Sequence, residues 1–251
     1  MAAVRIIDVE DEPTFALVPP CADPAFDHRS CDYWEDADRG SKRARTMASS
    51  SGASRAGAGP SNPFGDPGEQ PASNPFAPPR RVQASNPFAP AKDPLADNPF
   101  APARPAGPTL TPDAPRKLAL LARGRAIFGS YAKVLLVDDE PVAYAQFGPL
   151  SAYPRASRVR DLYSQLPEAP LPAVITCIAT TTESRHQGHA LALVAAVCAD
   201  LAGRGFAAVE VYPEPHSDPN ATSAATPAFW VAAGFGLAVD DERYPVLRRE
   251  L

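Results

Sequence analysis

Residues 185–190 combine an arginine, a glycine and a small residue at a spacing that suits phosphate binding. Arg185, Gly188 and Ala190 follow an apolar segment and precede an alanine-rich run that is typical of a helix. The first amides of a helix lack hydrogen-bond partners and carry partial positive charge. Gly188 permits an unusual backbone conformation and leaves space, while Arg185 adds positive charge. The pattern R-x-x-G-x-A therefore predicts a turn that binds a pyrophosphate.

Two strand-like segments flank this turn and its helix. Segments 173–180 and 206–213 are apolar and rich in β-branched residues. The helix predicted from 188 to 202 ends at the sequence Gly-Arg-Gly, as helices commonly do. A strand–helix–strand order is typical of a parallel crossover. The alternative that the same residues allow is a tight strand-to-helix turn that binds no ligand.

Other segments predict an antiparallel part of the same sheet. Segments 132–137 and 142–147 are predicted strands joined by a tight turn at Asp-Asp-Glu-Pro, and residues 3–9 form a first strand. The predicted fold class is therefore α/β (α+β), with a central mixed sheet flanked by helices. The remaining predicted elements are a short helix or turn near Pro13, a helix from Asp38 to Arg45, a helix at 116–130 with Leu118, Leu121 and Ile127 on one side, a polar loop at 148–172, a helix from Thr226 and Pro227 to Gly234, and one or two strands in 237–251.

Proline is concentrated in the middle of the chain. The sequence contains 31 prolines, and the motif Asn-Pro-Phe recurs with Asn62, Asn74, Asn86 and Asn98 evenly spaced by 12 residues. Each repeat has one Phe and buries little surface, so the composition predicts a disordered insertion at 48–113 with a turn at each motif. Residues 1–47 and 114–251 then form one interrupted domain. The repeats resemble ligands of eukaryotic EH domains, which implies a protein partner; a low-complexity spacer is the alternative.

Charge and cysteine content exclude several classes of function. The net charge is −5 and no basic block occurs, which argues against nucleic acid. No apolar run reaches membrane-spanning length, and the N-terminus lacks the features of a signal peptide, so we expect no membrane partner and a cytoplasmic location. The four cysteines form no Cys-x-x-Cys pair and are expected to be free thiols. The spacing of Cys and His predicts no metal site.

The run "ITCIATTTESRHQGHALALVAAVCADLAGRGFAAVEVYP", with the later "TPAFWVAAGF", resembles the GNAT family of N-acetyltransferases. Arg185, Gly188 and Ala190 match the family's [RQ]-x-x-G-x-[GA] motif, and Gly234 and Phe235 match its Gly-Phe at the end of a helix. The resemblance covers residues 130–251 well and the first 47 residues more loosely. Within the latter, "SCDYWED" resembles a Cys-x-Tyr-Trp-Glu stretch of one bacterial branch. The resemblance implies a GNAT-like fold with a splayed central sheet.

The resemblance also implies acetyl-coenzyme A as co-substrate. Its pyrophosphate would lie on the amides at the start of the helix, and its pantetheine would run between the two diverging strands. The backbone of the first strand would bond the pantetheine and polarise the acetyl carbonyl. The implied cofactor-binding residues are Ile178, Ala179, Thr180, Arg185, Gln187, Gly188, His189 and Ala190.

Acetyl transfer to an amine requires a neutral nucleophile, so a base must remove a proton from the ammonium form. Glu210 is the first candidate, with Glu35, Glu183 and Asp32 as alternatives. The family's usual general acid is a tyrosine four residues before the Gly-Phe, and Trp230 stands at that place. Tyr212, Tyr244 or water are the candidates that replace it.

The resemblance implies an acceptor pocket lined by the early helices, with Cys31, Tyr33 and Trp34 as candidates. The predicted function is therefore N-acetyl transfer to a primary amine of a small molecule or a peptide. The alternative is a catalytically weak acyl-coenzyme A-binding adaptor or sensor that acts through its Asn-Pro-Phe repeats. A scaffold without a cofactor is a third class.

Overall fold

The computed structural model describes residues 2–35, 110–111 and 113–251. The chain divides into two units, of which the first combines Met1–Thr46 with Ala106–Leu251 and the second is Met47–Pro105. The second unit lies outside the described residues. The helix predicted at Asp38–Arg45 and the four Asn-Pro-Phe repeats lie outside them too, so the predicted insertion stays a prediction.

The described residues form one mixed seven-stranded sheet, which confirms the predicted α/β class. Its strand order is β1-β2-β3-β4-β5-β7-β6, and every neighbouring pair is antiparallel except β4 and β5, which are parallel. The parallel pair confirms the crossover expected around the Arg-Gly-Ala motif. The strands are β1 (Val4–Asp8), β2 (Ala132–Val137), β3 (Glu140–Pro149), β4 (Ala173–Thr180), β5 (Ala208–Val211), β6 (Gly236–Val239) and β7 (Val246–Glu250).

Six α-helices and two 3-10 helices accompany these strands in the described part of the chain. The α-helices are α1 (Glu12–Ala16), α2 (Arg116–Ala122), α3 (Arg125–Phe128), α4 (Pro154–Arg160), α5 (His189–Gly203) and α6 (Pro227–Ala232), and the 3-10 helices are Leu150–Ala152 and Thr182–Ser184. The longest, α5, has 15 residues, and no helix in this part of the chain meets the length and apolarity that a membrane span needs.

The β2–β3 hairpin forms as the sequence predicts. Asp138 and Asp139 have φ angles of 49° and 70°, the left-handed values that a two-residue hairpin turn requires. Aspartate tolerates this conformation better than most residues. The two strands therefore pair closely, and β3 begins at Glu140.

Two of the predicted elements are wrong in detail. The single helix expected at 116–130 breaks at Gly124, whose φ of 80° is incompatible with a continuing helix. Leu118 and Leu121 are buried as predicted, but the break redirects the chain and leaves Ile127 95% exposed. The polar loop expected at 148–172 contains α4, which begins with Pro154 at a position where proline suits a helix.

Each face of the sheet covers its own apolar cluster. One cluster includes Tyr144 and Cys177 and receives the N-terminal segment and α2. The other includes Ile178 and receives α5 and α6. Because neighbouring residues of a strand point to opposite faces, Cys177 and Ile178 belong to different clusters. Strand β4 therefore separates two different environments.

The N-terminal segment buries a histidine against the first of these clusters. His28 is 3% exposed, its Nδ1 lies 3.2 Å from the carbonyl oxygen of Pro19, and its ring lies 4.8 Å from that of Tyr144. Burial lowers the pKa of His28 from 6.5 to about 4, with a smaller contribution from the charge of Lys117. The imidazole is therefore neutral near pH 7.

We expect acid to destabilise the protein partly through His28. Its pKa is lower in the folded protein than in the unfolded chain, so below about pH 6.5 the unfolded state binds a proton that the folded state does not. The contribution is complete above about pH 6.5 and is lost as the pH falls to about 4. It amounts to about 3 kcal/mol, at about 1.4 kcal/mol per pKa unit.

Urea denaturation between about pH 7.5 and 4.5 measures this loss. His28→Asn keeps an N–H donor for the Pro19 carbonyl but does not titrate, so its stability should fall less steeply with acid. His186→Asn is the matched control at an exposed position and should follow the wild type. Equal acid dependence of the wild type and His28→Asn would contradict the assignment.

Candidate functional site

Strands β4 and β5 pair over two positions only and then separate. Ala173 pairs with Val209 and Val174 with Glu210, while β4 continues to Thr180 without β5 beside it. Separation of parallel strands leaves backbone N–H and C=O groups of β4 without a partner from β5. The sheet therefore contains a cleft between β4 and the segment that follows β5.

This cleft opens into a cavity of about 410 Å³. Its walls are the end of β4, the turn before α5, the start of α6 and the connection between β5 and α6. The residues lining it are Ala22, Ile178, Ala179, Thr180, Ser184, Arg185, His186, Gly188, His189, Ala190, Leu191, Pro219, Asn220, Thr222, Ala225, Thr226 and Phe229. The structure therefore brings together seven of the eight predicted cofactor-binding residues. Gln187 is not among the lining residues, and its side-chain amide donates to the Glu183 carbonyl.

The turn before α5 has the conformation that the sequence predicts. Gly188 is the N-cap of α5 with a φ of 81°, and His186 also has a positive φ, of 61°. The first helical bond runs from the amide of Ala192 to the carbonyl of Gly188, at 3.0 Å. The amides of His189 and Ala190 precede that bond, and Gly188 has no side chain to cap them. The cavity therefore ends at helix amides that suit an anion.

Arg185 adds a positive charge to this end of the cavity. Its Nη2 donates to the carbonyl oxygen of Asn220 at 2.8 Å, which links the turn to the β5–α6 connection. The guanidinium has further N–H groups beyond this bond. Asn220 and Pro219 line the cavity opposite the turn, and their contribution was not predicted.

The backbone amide of Ile178 is already engaged. It donates to the carbonyl oxygen of Ser223 at 2.7 Å, so the β5–α6 connection occupies the place beside β4 that β5 has left. A second bond, from the amide of Glu214 to the carbonyl of Ala225 at 3.0 Å, closes this connection on itself. Ala225 has a φ of 57°, a strained value for alanine. The predicted pantetheine contact at Ile178 therefore requires the Ser223 carbonyl to move away.

Glu210 lies outside the cavity lining, in a buried ion-pair network. Its side chain is fully buried; Oε2 accepts from Arg160 at 3.0 Å and Oε1 from Arg248 at 2.9 Å. The hydroxyl of Tyr212 also donates to Oε2, at 3.0 Å. Three of about four acceptor positions of the Glu210 carboxylate are therefore occupied.

The two candidate tyrosines lie in different surroundings. Burial raises the pKa of Tyr212, and the Glu210 carboxylate raises it further, so its phenol is a weaker acid than a free tyrosine. Tyr244 is 39% exposed, and its backbone carbonyl accepts from the hydroxyl of Tyr163 at 3.0 Å. Neither tyrosine is among the residues that line the cavity.

One of the predicted acceptor-pocket residues packs beside Tyr212, and a second packs against the first. Trp34 is buried with its ring 6.2 Å from that of Tyr212, and Tyr33 meets Trp34 edge to face at 5.4 Å. Arg155 of α4 holds this segment, because its Nε donates to the Tyr33 carbonyl and its guanidinium stacks over the Tyr33 ring at 4.1 Å. Cys31, the third candidate, is half-buried.

Trp230, at the place of the family's usual tyrosine, is a packing residue. It is 1% exposed, and its indole N–H donates to the carbonyl oxygen of Ala224 at 3.0 Å. Its neighbour Phe229 lines the cavity instead. The sequence signal for Phe229 was its adjacency to Trp230, since successive helical residues face different sides.

Metal chemistry finds no support in the ranges 2–35, 110–111 and 113–251. No group of three or more His, Cys, Asp or Glu residues within them could hold a metal ion. The four cysteines, all within these ranges, are free thiols, two of them half-buried and two buried.

No protein-family model matches the chain, and no curated protein sequence matches it. One similar solved structure is the PaiA N-acetyltransferase from Thermoplasma acidophilum in complex with coenzyme A, with 10% identity, 53% of this chain and 69% of that chain covered, and a TM-score of 0.37. Another is Ard1 from Thermoplasma volcanium, with 16% identity, coverages of 53% and 79%, and a TM-score of 0.35. A third, from Desulfovibrio desulfuricans, is assigned as an acetyltransferase of the GNAT family and has 20% identity, coverages of 56% and 82%, and a TM-score of 0.36. These TM-scores are too low for the likeness to define the family or the function of this chain.

We expect Glu210→Gln to destabilise the protein by roughly 3–5 kcal/mol. The substitution leaves the buried guanidinium of Arg160 without its carboxylate and removes one of the two carboxylate partners of the partly buried Arg248, and an uncompensated buried charge is costly. Urea denaturation at neutral pH measures the change.

The matched control is Glu250→Gln, which removes a second partner of Arg248. Its carboxylate lies 2.7 Å from Arg248 Nε but its side chain is 70% exposed, so the loss should stay below about 1 kcal/mol. A Glu210→Gln protein as stable as the wild type would contradict the structural role of the network and favour a catalytic one.

Proposed function

We propose that this protein is an acetyl-coenzyme A-dependent N-acetyltransferase of the GNAT type. The observation that carries the proposal is the cavity between the end of β4 and the β5–α6 connection, which ends at the uncapped first amides of α5. A long ligand with an anionic diphosphate at one end and an extended polar arm at the other fits this arrangement. Acetyl-coenzyme A has that form and supplies an acetyl group as a thioester.

Different residues of the cavity would bind different parts of acetyl-coenzyme A. The amides of Gly188, His189 and Ala190 would hold the diphosphate, with charge from Arg185. The backbone of β4 around Ile178 to Thr180, whose residues line the cavity, would bond the pantetheine as an added strand bonds a sheet edge. The Ile178 amide would polarise the acetyl carbonyl once it is released from Ser223.

The acceptor would be a primary amine of a small molecule or a peptide, and the reaction an acyl transfer by direct attack. Trp34 and Tyr33 are proposed to line the acceptor side, with Cys31 nearby. Glu210 is proposed as the base and Tyr212 as the acid. The Tyr212 hydroxyl donates a hydrogen bond to the Glu210 carboxylate, which joins the two groups. Tyr244 is the alternative acid. The proposed Asn-Pro-Phe insertion would bind a protein partner.

A second candidate is an acyl-coenzyme A-binding adaptor or sensor with little catalysis. Two observations favour it. The indole N–H of Trp230 already donates to the Ala224 carbonyl, and the Ile178 amide already donates to the Ser223 carbonyl. In such a protein the ligand would bind and displace the Ser223 carbonyl without any acetyl transfer.

Substitution of Gly188 tests the diphosphate site. Gly188→Asn keeps a residue that tolerates positive φ and has open space around its Cβ, so the fold should survive while the side chain enters the cavity. We expect the affinity for coenzyme A, measured by calorimetry, to fall about tenfold or more, because the amides are screened and the diphosphate is obstructed.

Gly205→Asn is the matched control at the other end of α5. Gly205 has a φ of 86°, also with open space around its Cβ, and is not among the cavity-lining residues. Its substitution should leave the affinity unchanged. Equal affinities of both variants and the wild type would refute the diphosphate assignment.

Thiol release from acetyl-coenzyme A over a panel of primary amines separates the two candidate functions. An N-acetyltransferase should release thiol in proportion to amine and form an acetylated product detectable by mass spectrometry. Binding of coenzyme A without release on any amine would favour the adaptor. Absence of coenzyme A binding by the wild type would defeat both.

A further inference from the structure

Three buried polar atoms without a hydrogen-bond partner lie on the face of the sheet opposite α5. Within the described residues these are Nε2 of His28, Oε2 of Glu35 and the hydroxyl of Tyr144. The rings of His28 and Tyr144 lie 4.8 Å apart, and the Glu35 carboxylate is one of the charges that raise the pKa of Tyr144 beyond the effect of burial. Buried polar groups are rarely left unpaired, so three in one place require an explanation.

The protonation state of His28 follows from its neighbour. Nδ1 lies 3.2 Å from the Pro19 carbonyl, which can only accept, so Nδ1 carries the proton. Burial lowers the pKa of His28 to about 4, so the second nitrogen is unprotonated near neutral pH. Nε2 is therefore a bare lone pair that accepts a hydrogen bond.

Glu35 presents a second acceptor. Its Oε1 receives the ammonium of Lys117 at 2.5 Å and the side-chain amide of Gln146 at 2.7 Å. Both donors act on Oε1, which leaves Oε2 free. The Tyr144 hydroxyl can accept or donate. The three free atoms together suit a ligand that offers several N–H donors.

The position of these atoms relates them to the cavity. Tyr144 on β3 pairs with Ala179 on β4, and Gln146 pairs with Cys177. Ala179 lines the cavity, so one strand separates the two sites. The half-buried thiols of Cys21 and Cys31 lie on the same side, close enough to Cys177 to raise its pKa beyond the effect of burial.

We propose that His28 Nε2, Glu35 Oε2 and the Tyr144 hydroxyl form the site that receives the amino group of the acceptor. This inference rests on the proposed acetyl transfer and names its substrate class as a primary amine. The amine donates its N–H groups to Nε2 and Oε2, and the phenol of Tyr144 completes the set. The acceptor side therefore includes Tyr144, Glu35 and His28. It lies next to β4, whose last residues line the cofactor cavity.

Two tyrosines provide a matched pair of variants. Tyr144→Phe removes a buried hydroxyl that has no partner, so its thermal midpoint should equal or exceed that of the wild type. Tyr153→Phe removes an equally buried hydroxyl that donates to the Phe147 carbonyl at 2.8 Å, so its midpoint should fall. Amine binding should weaken about tenfold in Tyr144→Phe and stay unchanged in Tyr153→Phe.

Nitrogen NMR of ¹⁵N-histidine-labelled protein reports the site directly. The signal of His28 Nε2 is identified by its loss in His28→Asn. Titration with methylamine should shift this signal from the position of a free lone pair towards that of a hydrogen-bonded nitrogen, whereas tetramethylammonium, a cation without N–H groups, should not. In the presence of acetyl-coenzyme A, the KM for methylamine should rise in Tyr144→Phe while coenzyme A affinity stays unchanged.

The proposal would be overturned if the Nε2 signal already has the position of a hydrogen-bonded nitrogen and methylamine does not shift it. An internal water would then occupy the proposed amine site. Equal loss of stability in both tyrosine variants would overturn it too. These readouts need no cofactor, so the site can fail while coenzyme A still binds. Conversely, methylamine binding without coenzyme A binding would leave the amine site supported and the proposed acetyl transfer refuted.

Discussion

The separation of β4 from β5 after two paired positions is the constraint from which the rest of the site follows. Parallel strands that part leave backbone amides and carbonyls that must find other partners. In this protein the β5–α6 connection supplies one of them, the Ser223 carbonyl bound to the Ile178 amide. The same connection holds Arg185 through the Asn220 carbonyl. A ligand that enters the cleft therefore competes with this connection rather than filling an empty slot.

Strand β4 also divides the chemistry of the molecule between two faces. On the α5 side, the turn at Gly188 and the cavity offer backbone donors and positive charge, which suit an anionic ligand. On the other side, His28 and Glu35 offer acceptors, which suit a ligand with N–H groups. Under the proposed function, two ligands of opposite hydrogen-bonding character would approach one strand from its two faces. Glu210 stands apart, because its charge is balanced by the buried Arg160 and the partly buried Arg248.

The parts of this structure that depend on local sequence were predictable. The β-branched run of β4, the glycine before α5 and the paired aspartates of the β2–β3 turn each determine local geometry, and all three formed as expected. Two local signals were missed, the break at Gly124 and the helix that begins at Pro154. Other features depend on distant residues. The partners of Glu210 lie 50 and 38 residues away, and no local pattern reveals them. The Ser223 contact arises from a polar connection whose composition indicates only turns.

The exchange at Ile178 shows why such a closed cleft is compatible with binding. A backbone hydrogen bond contributes only about 1 kcal/mol net, so replacing the Ser223 carbonyl with a ligand carbonyl changes the free energy little. The strained φ of Ala225 in the same connection costs roughly 1–3 kcal/mol, part of which opening would release. Affinity must then come from the amides at Gly188 and the charge of Arg185, since no side chain caps these amides and the guanidinium has N–H groups beyond its bond to Asn220. Binding of an anion at the turn before α5 therefore supplies the free energy that opens the cleft. The open cleft then sets how far the bound ligand extends towards the opposite face of β4.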